Sequence, residues 1–186
     1  TGASPTSIAV TPDGQRIYAA TSGGLQVIDA VSGAVITTIP GITQGDIAFT
    51  PDGSRAYVAA GNLTMVDTAS HAVTTTAINT AGSLAIAPNG LRLYATTTGA
   101  DIFGSGGAVQ IVDTATNTVT GNIALGALPG SLGLAPDGSR IYVGIQAFWA
   151  DTGYGAAFMP GRIVMVYDTA NPSSSAAIDL GAAGAN

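Results

Sequence analysis

The sequence lacks cysteine, lysine and glutamate, and it holds a single histidine, His71, in 186 residues. The absence of cysteine excludes a disulfide framework and a thiolate metal site, although it does not fix the compartment. Five arginines against eleven aspartates do not provide the clustered cations that nucleic-acid binding requires, so we expect no nucleic-acid partner. One histidine provides neither a histidine-based triad nor a histidine-rich metal site. These absences weigh against an enzyme without excluding one.

Charge is also scarce, because only 9% of the residues are charged and the net charge is −6. An acidic chain is unsuited to an anionic membrane surface. The uncharged segment from Thr114 to Pro136 is interrupted by Gly, Pro, Asn and Thr, which is typical of strands and turns rather than a spanning helix. We therefore expect no membrane insertion.

The most informative feature that is present is an internal repeat. One motif appears as "TPDGQRIYAA", "TPDGSRAYVA", "APNGLRLYAT" and "APDGSRIYVG", and a second as "VIDAVSG", "MVDTASH", "IVDTATN" and "VYDTANP". The prolines of the first motif stand at 12, 51, 88 and 136, which gives spacings of 39, 37 and 48 residues. Four units, about 1–41, 42–80, 81–126 and 127–186, therefore account for nearly the whole chain.

Each unit contains four short segments with strand character. In the second unit these segments, named A to D, are 46–50, 55–59, 63–67 and 72–78. They alternate apolar with small or polar residues and are rich in Val, Ile, Thr and Tyr. Pro-Asp-Gly between A and B is a turn sequence, since Pro presets φ, Asp caps its own backbone and Gly accepts positive φ. We predict an all-β chain with almost no helix, built as one β-propeller domain over 1–186 with four blades of four antiparallel strands.

The "PDGxRhY" and "V-I-D-T" motifs, with "YVAA" at Tyr57 to Ala60, resemble the YVTN-type β-propeller family of bacterial and archaeal surface-layer and exported proteins. The resemblance covers all four units. It implies a propeller fold and an extracellular or cell-surface location. It implies no particular activity, because the motif residues build blades.

Two charged positions recur in every unit. Aspartates stand at 29, 67, 113 and 168, and arginines at 16, 55, 92 and 140. Recurrence in every blade favours a structural role. We expect each Asp to cap its turn and each Arg to cover or pair with a neighbouring strand on the turn face.

Two units contain insertions between strands B and C. From the strand-B Tyr to the strand-C Asp the units span 11, 10, 19 and 26 residues, so the third and fourth are expanded. In a propeller the B–C and D–A connections share one face, and we expect two long loops there. Loops of this length are typically functional or disordered. The residues we expect to bind a ligand or partner are Asp101, Phe103, Phe148, Trp149, Asp151, Tyr154, Phe158 and Arg162.

Two interpretations of the aromatic cluster in the fourth unit stay open. The rings either pack down, plugging the channel or covering a neighbouring module, or they form a site for a protein or glycan partner. The first hypothesis is a non-catalytic recognition or scaffolding module. The alternative is a lactonase-like or lyase-like propeller that uses Asp101 or Asp151 with a divalent metal. Asp46, Asp101 and Asp151 could together offer oxygen ligands to Ca²⁺, but without a local D-x-D-x-D-G sequence we assign no cofactor and no metal ligand.

The ends of the repeat array raise a question of assembly. The first unit begins with its own A strand, near 7–11, and the last ends with its own D strand, near 175–180. Four such blades close on themselves, pair with a second chain, or belong to a larger array. An open arc would expose the apolar faces of the first and fourth blades, and we expect self-association through them.

Overall fold

The computed structural model describes residues 4–80, 82–98, 106–151, 156–160 and 163–181, with the backbone alone for 147–151 and 156–160. Within these ranges the chain forms strands and turns without any α-helix, and so has no helix that could cross a membrane. The strands of each unit, with their alternating apolar residues, pair into one antiparallel sheet. The predicted all-β fold is therefore confirmed.

The first two sheets follow the predicted order A-B-C-D. Blade 1 consists of β1 (Pro5–Val10), β2 (Arg16–Thr21), β3 (Gly24–Asp29) and β4 (Val35–Ile39). Blade 2 consists of β5 (Ile47–Phe49), β6 (Arg55–Ala60), β7 (Asn62–Asp67) and β8 (Val73–Asn79).

The last two sheets repeat this order, with one addition. Blade 3 consists of β9 (Leu84–Ile86), β10 (Arg92–Thr97), β11 (Ala108–Asp113) and β12 (Thr118–Ala124). Blade 4 consists of β13 (Leu128–Leu134), β14 (Arg140–Asp151), β16 (Ile163–Asp168) and β17 (Ser175–Asp179), and an extra strand, β15 (Ala156–Pro160), pairs with β14.

The A strands of successive blades lie side by side. β1 contacts β5, β5 contacts β9, and β9 contacts β13, so the first strand of each sheet faces the common axis. The sheets radiate from this axis as propeller blades. The four blades thus form an arc in chain order, with the tight A–B and C–D turns at one end of the strands.

The core lies between blades rather than inside any one of them. Side chains alternate along a strand, so each sheet has a forward face, toward the next blade, and a backward face, toward the preceding one. Tyr18 and Leu25 of the forward face of blade 1 pack in one buried cluster with Ile47 and Val58 of the backward face of blade 2. Equivalent clusters join blade 2 to blade 3 and blade 3 to blade 4. Each blade is consequently stabilised by its neighbours.

Candidate functional site

A concavity of about 640 Å³ opens at the axial end of the A strands, opposite the tight turns. All four blades contribute to its lining. One repeat position, five residues before the proline of the first motif, lines the concavity in every blade. Its residues are Ser7, Asp46, Ser83 and Ser131. Because these side chains are small or polar, the concavity offers hydrogen-bonding groups rather than an apolar pocket.

Two of these residues also join adjacent blades. One carboxylate oxygen of Asp46 in blade 2 accepts a hydrogen bond from the backbone N–H of Leu84 in blade 3, at 2.9 Å, and the other accepts from Ile47 N–H at 3.0 Å. The Ser83 hydroxyl oxygen accepts from the backbone N–H of Leu132 in blade 4, at 3.0 Å. The wall of the concavity is thereby fixed, and Asp46 is held as a structural acceptor.

Close backbone approach shapes the same wall. Gly45 has a φ of +110°, and a Cβ at this position would lie 2.1 Å from the carbonyl oxygen of Ala59. Only glycine fits such a position. Beside Asp46, the wall of the concavity is therefore formed by close contact between the backbones of Gly45 and Ala59.

Both insertions begin at this opening. Thr98, which precedes the third-unit insertion, and Gln146, which precedes the fourth-unit insertion, both line the concavity.

The expectation of a long loop in the fourth unit was wrong in one respect. β14 continues to Asp151 and returns as β15, so the insertion contains a β-hairpin in which Ala147 pairs with Pro160 and Asp151 with Ala156. This pairing satisfies the backbone groups on the facing edges of β14 and β15.

Four of the eight predicted site residues lie in the hairpin. Trp149 of β14 is directly opposite Phe158 of β15, and Phe148 is opposite Met159. Asp151 is the last residue of β14. The remaining predicted residues, Asp101, Phe103, Tyr154 and Arg162, lie outside the described residues.

The concavity itself was not predicted as a site. Its lining includes Ser7, Ser83, Ser131, Thr98 and Gln146, none of which belongs to a recognisable motif. The signal that could have found part of it is the recurring Ser or Asp before "IAV", "IAF", "LAI" and "LGL" at 8–10, 47–49, 84–86 and 132–134. Their convergence depends on the sheets lying around one axis.

The recurrent aspartates lie at the other end of the blades, in the C–D turns. The carboxylate of Asp67 accepts hydrogen bonds from the backbone N–H groups of Ala69 and Ser70 and from the Ser70 hydroxyl. Asp29 and Asp113 make the same set of bonds in their turns. These bonds hold the pKa of all three carboxyl groups below the ordinary value, chiefly through the backbone N–H donated three residues on. The predicted capping role is confirmed.

The recurrent arginines join one blade to the next on this turn face. Arg16 of blade 1 donates from Nη1 to the carbonyl oxygen of Thr68 in blade 2, at 3.1 Å. Arg55 of blade 2 donates to the carbonyl oxygen of Thr114 in blade 3. Arg92 lines the cleft between blades 3 and 4 together with Thr169, at the corresponding positions. Arg16 and Arg55 are thus structural links between blades.

The single histidine has a structural position. His71 lies in the C–D turn of blade 2 with a φ of 60°, as Asn117 does in blade 3 with a φ of 55°. Gly33 occupies this left-handed position in blade 1, with a φ of 69°. His71 is therefore a turn residue at the end of the molecule opposite the concavity.

Acidic side chains are sparse around the concavity. The described residues contain no group of three or more His, Cys, Asp or Glu side chains that could hold a metal ion. Asp46 is the acidic side chain among the residues that line the concavity, and it already accepts backbone hydrogen bonds from two blades. The concavity can therefore present polar side chains and backbone groups to a bound molecule.

Comparison with solved structures supports the fold. The chain is similar to Kuenenia stuttgartiensis Hydrazine Synthase (19% identity, TM-score 0.71), covering 94% of this chain and 49% of that one. It is similar to the RRP9 WD40 repeats (16% identity, TM-score 0.70), covering 96% and 52%. It is also similar to the Swd1 beta-propeller domain of Myceliophteria thermophila (12% identity, TM-score 0.63), covering 94% and 72%.

These similarities define the class of the protein as a β-propeller. The chain spans about half the length of the first solved structures that it matches. No protein-family model matches the chain. A search of curated proteins finds no match either.

Proposed function

We propose that this chain is a non-catalytic recognition or scaffolding β-propeller module that binds a protein partner on the face bearing the axial concavity and the β14–β15 hairpin. The observation that carries the proposal is that both insertions of an otherwise regular repeat begin at the rim of one concavity, at Thr98 and Gln146. Insertions into a rigid scaffold are where binding residues concentrate.

A protein partner suits the chemistry of this face better than a small substrate does. The concavity is wide and open, and its lining consists mostly of hydroxyl-bearing side chains and glycines, with Asp46 and Gln146 as further polar groups. Among the described strands, β15 pairs with β14 alone, so its other edge presents backbone groups that an extended peptide segment could pair with. The aromatic residues Phe148, Trp149 and Phe158 belong to the hairpin strands and are of the type that anchors interfaces.

We further propose that the module acts outside the cell or at the surface of a bacterial cell. The support is the resemblance of its repeats to the YVTN-type family, together with a composition free of lysine and cysteine. The lactonase-like alternative rests on Asp101, which lies outside the described residues, or on Asp151, for which the backbone alone is described, and no described residue favours it.

The binding hypothesis is tested by selecting ligands from a random peptide display library on the immobilised chain. The variant replaces residues 149–158 with Asn-Gly, so that Phe148 and its partner Met159 flank a two-residue turn. The matched control is Val31→Ser, in a turn at the opposite end, where the side chain is 94% exposed. We expect selected peptides to lose binding to the hairpin variant and to keep it with the control, measured with fluorescently labelled peptides because the hairpin variant lacks Trp149, the sole tryptophan. Emission from Trp149 gives a second measure of affinity for the wild-type chain and the control.

Three results would contradict the proposal. Peptides that bind the hairpin variant equally well would move the site away from this face. A panel of sugars and cell-wall fragments that shifts Trp149 emission, where no peptide does, would change the partner class to a glycan. Turnover of lactone substrates that depends on Ca²⁺ or another divalent ion would favour an enzyme.

A further inference from the structure

The backward face of blade 1 exposes apolar side chains whose counterparts in blades 2 and 3 are buried or partly buried. Ile8 is 65% exposed, whereas Ile47 and Leu84, at the same repeat position in blades 2 and 3, are 7% and 6% exposed. Val10 is 55% exposed, whereas its counterpart Phe49 packs edge-on against Tyr18 of blade 1, with ring centroids 5.1 Å apart. The two blades differ in that blade 2 has a neighbour on this face.

The forward face of blade 4 shows the same difference. Ile178 is 48% exposed, whereas Ile39 and Ile123, which hold the same position opposite the strand-C residues of blades 1 and 3, are 5% and 4% exposed. Tyr142 is partly exposed, whereas its counterparts Tyr18, Tyr57 and Tyr94 are buried. Both uncovered faces therefore have the composition of faces that elsewhere form the core.

The polar links between blades have a direction. On the axial side, a side-chain oxygen of one blade accepts the strand-A N–H of the next, as Ser83 accepts from Leu132. On the turn side, the arginine of one blade donates to the carbonyl of the first residue after strand C of the next, as Arg16 donates to Thr68. The corresponding groups of blade 4 are Ser131 and Arg140, which are both exposed. Those of blade 1 are Ile8 N–H and the Ala30 carbonyl.

We propose that the forward face of blade 4 packs on the backward face of blade 1 of a second copy of this chain, head to tail. Arg140 then donates to the Ala30 carbonyl, the Ile8 N–H donates to Ser131 Oγ, and Ile178 and Tyr142 cover Ile8 and Val10. Two copies close through two identical interfaces into a ring of eight blades. The second copy is the occupant because every contact repeats one that already joins blades within this chain. The inference is independent of the recognition function proposed above.

The test is the mass of the chain in solution, by sedimentation and by light scattering over a concentration series. We expect wild-type protein to associate into a dimer of 18.2 kDa chains. Ile8→Arg and Ile178→Arg each place a charge in both interfaces of the ring and should weaken association roughly a hundredfold, because a buried unpaired charge is strongly destabilising. Leu91→Arg is the matched control, since Leu91 is 62% exposed on a turn away from both faces and should leave association unchanged.

Mixing the two variants tests the orientation. A dimer of one Ile8→Arg chain and one Ile178→Arg chain has both substitutions in one interface and an intact second interface, so the mixture should recover part of the association. All the substituted side chains are exposed in the single chain, and circular dichroism checks that each variant folds.

The proposal is overturned if wild-type protein stays monomeric at every concentration. It is also overturned if Ile178→Arg associates normally while Ile8→Arg does not, which would mean pairing of two blade 1 faces. Equal weakening by Leu91→Arg would show that association uses another surface.

Discussion

At the scale of the residue, two homologous tyrosines differ in what their hydroxyl groups contact. Tyr57 is buried, and its hydroxyl donates to the Thr114 carbonyl or to the Asn117 side-chain oxygen, at 3.2 and 2.8 Å. Tyr18 occupies the same repeat position one blade earlier, and His71 occupies the repeat position of Asn117. Tyr18 Oη and His71 Nε2 are both buried without a hydrogen-bond partner among the described residues. Burial raises the pKa of both tyrosines.

We predict that His71→Asn stabilises the protein. Asparagine tolerates the left-handed backbone of this turn, as Asn117 shows, and its amide oxygen would accept from the Tyr18 hydroxyl. A buried hydroxyl that gains a partner is worth about 1 kcal/mol. The measurement is the free energy of unfolding in urea. In a Tyr18→Phe background the gain should disappear, and a gain that persists there would mean that the asparagine acts through the backbone alone.

At the scale of the element, the turns carry most of the ordered carboxylates. Asp13, Asp52 and Asp137 of the A–B turns accept hydrogen bonds from the backbone N–H two residues on. The side-chain hydroxyls of Thr11 and Thr50 are the largest cause of the lowered pKa at Asp13 and Asp52, and the backbone N–H of Ser139 is the largest at Asp137. Six turn carboxylates thus have a lower pKa in the folded chain than in the unfolded chain.

This difference makes stability depend on acidity. A carboxyl group whose pKa is lowered by folding contributes in full above its unfolded value, near 3.9, and the contribution is lost as the pH falls through its folded value. We therefore predict an unfolding free energy that is steady above about pH 5 and decreases below about pH 4. Urea unfolding at a series of pH values measures it.

A natural variation supplies the matched pair of substitutions. Asn89 stands in the A–B turn of blade 3 where the other blades have Asp, and it accepts the Leu91 N–H at 3.0 Å. Asp52→Asn should therefore preserve its turn and make the acid loss of stability shallower. Asn89→Asp should make it steeper. Identical acid slopes for the two variants would show that the turn carboxylates do not control acid unfolding.

The β14–β15 hairpin is the element that sequence spacing described least well. The count of residues between Tyr142 and Asp168 correctly located an insertion but did not reveal pairing inside it. The strands 140–151 and 156–160 flank a Gly-containing segment, which is a hairpin pattern. Its register depends on Ala147 meeting Pro160, a contact between residues that no repeat relates.

At the scale of the whole molecule, stability comes from the surfaces between blades. Ile47 and Ile8 are the same residue at the same repeat position, and they differ in whether a blade covers them. Ile47→Ala should cost about 2–5 kcal/mol at every protein concentration, because it opens a cavity in the blade 1–blade 2 core.

Ile8→Ala should cost less than about 0.5 kcal/mol in dilute protein, where its side chain faces solvent. The loss of unfolding free energy caused by Ile8→Ala should increase with protein concentration if a second copy covers Ile8. Urea unfolding at a low and a high protein concentration measures this difference. A large cost for Ile8→Ala in dilute protein would show that blade 1 is covered within the single chain.

The sequence by itself determined the blades. "PDG" with its strand-B Tyr and "DT" with its turn are local signals, since a proline, a capping aspartate and a left-handed Gly or Asn act within a few residues. The four sheets, their strand order and the capping role of Asp29, Asp67 and Asp113 could therefore be predicted.

Only the tertiary structure decided what lies between blades. The concavity formed by Ser7, Asp46, Ser83 and Ser131, the arginine links to Thr68 and Thr114, and the uncovered faces at Ile8 and Ile178 each depend on residues about one repeat or more apart. A repeat gives every blade the same residues, so the sequence predicted uncovered first and fourth faces only on the condition that the four blades form an open arc. The difference between a covered and an exposed face arises from how the sheets are placed around the axis.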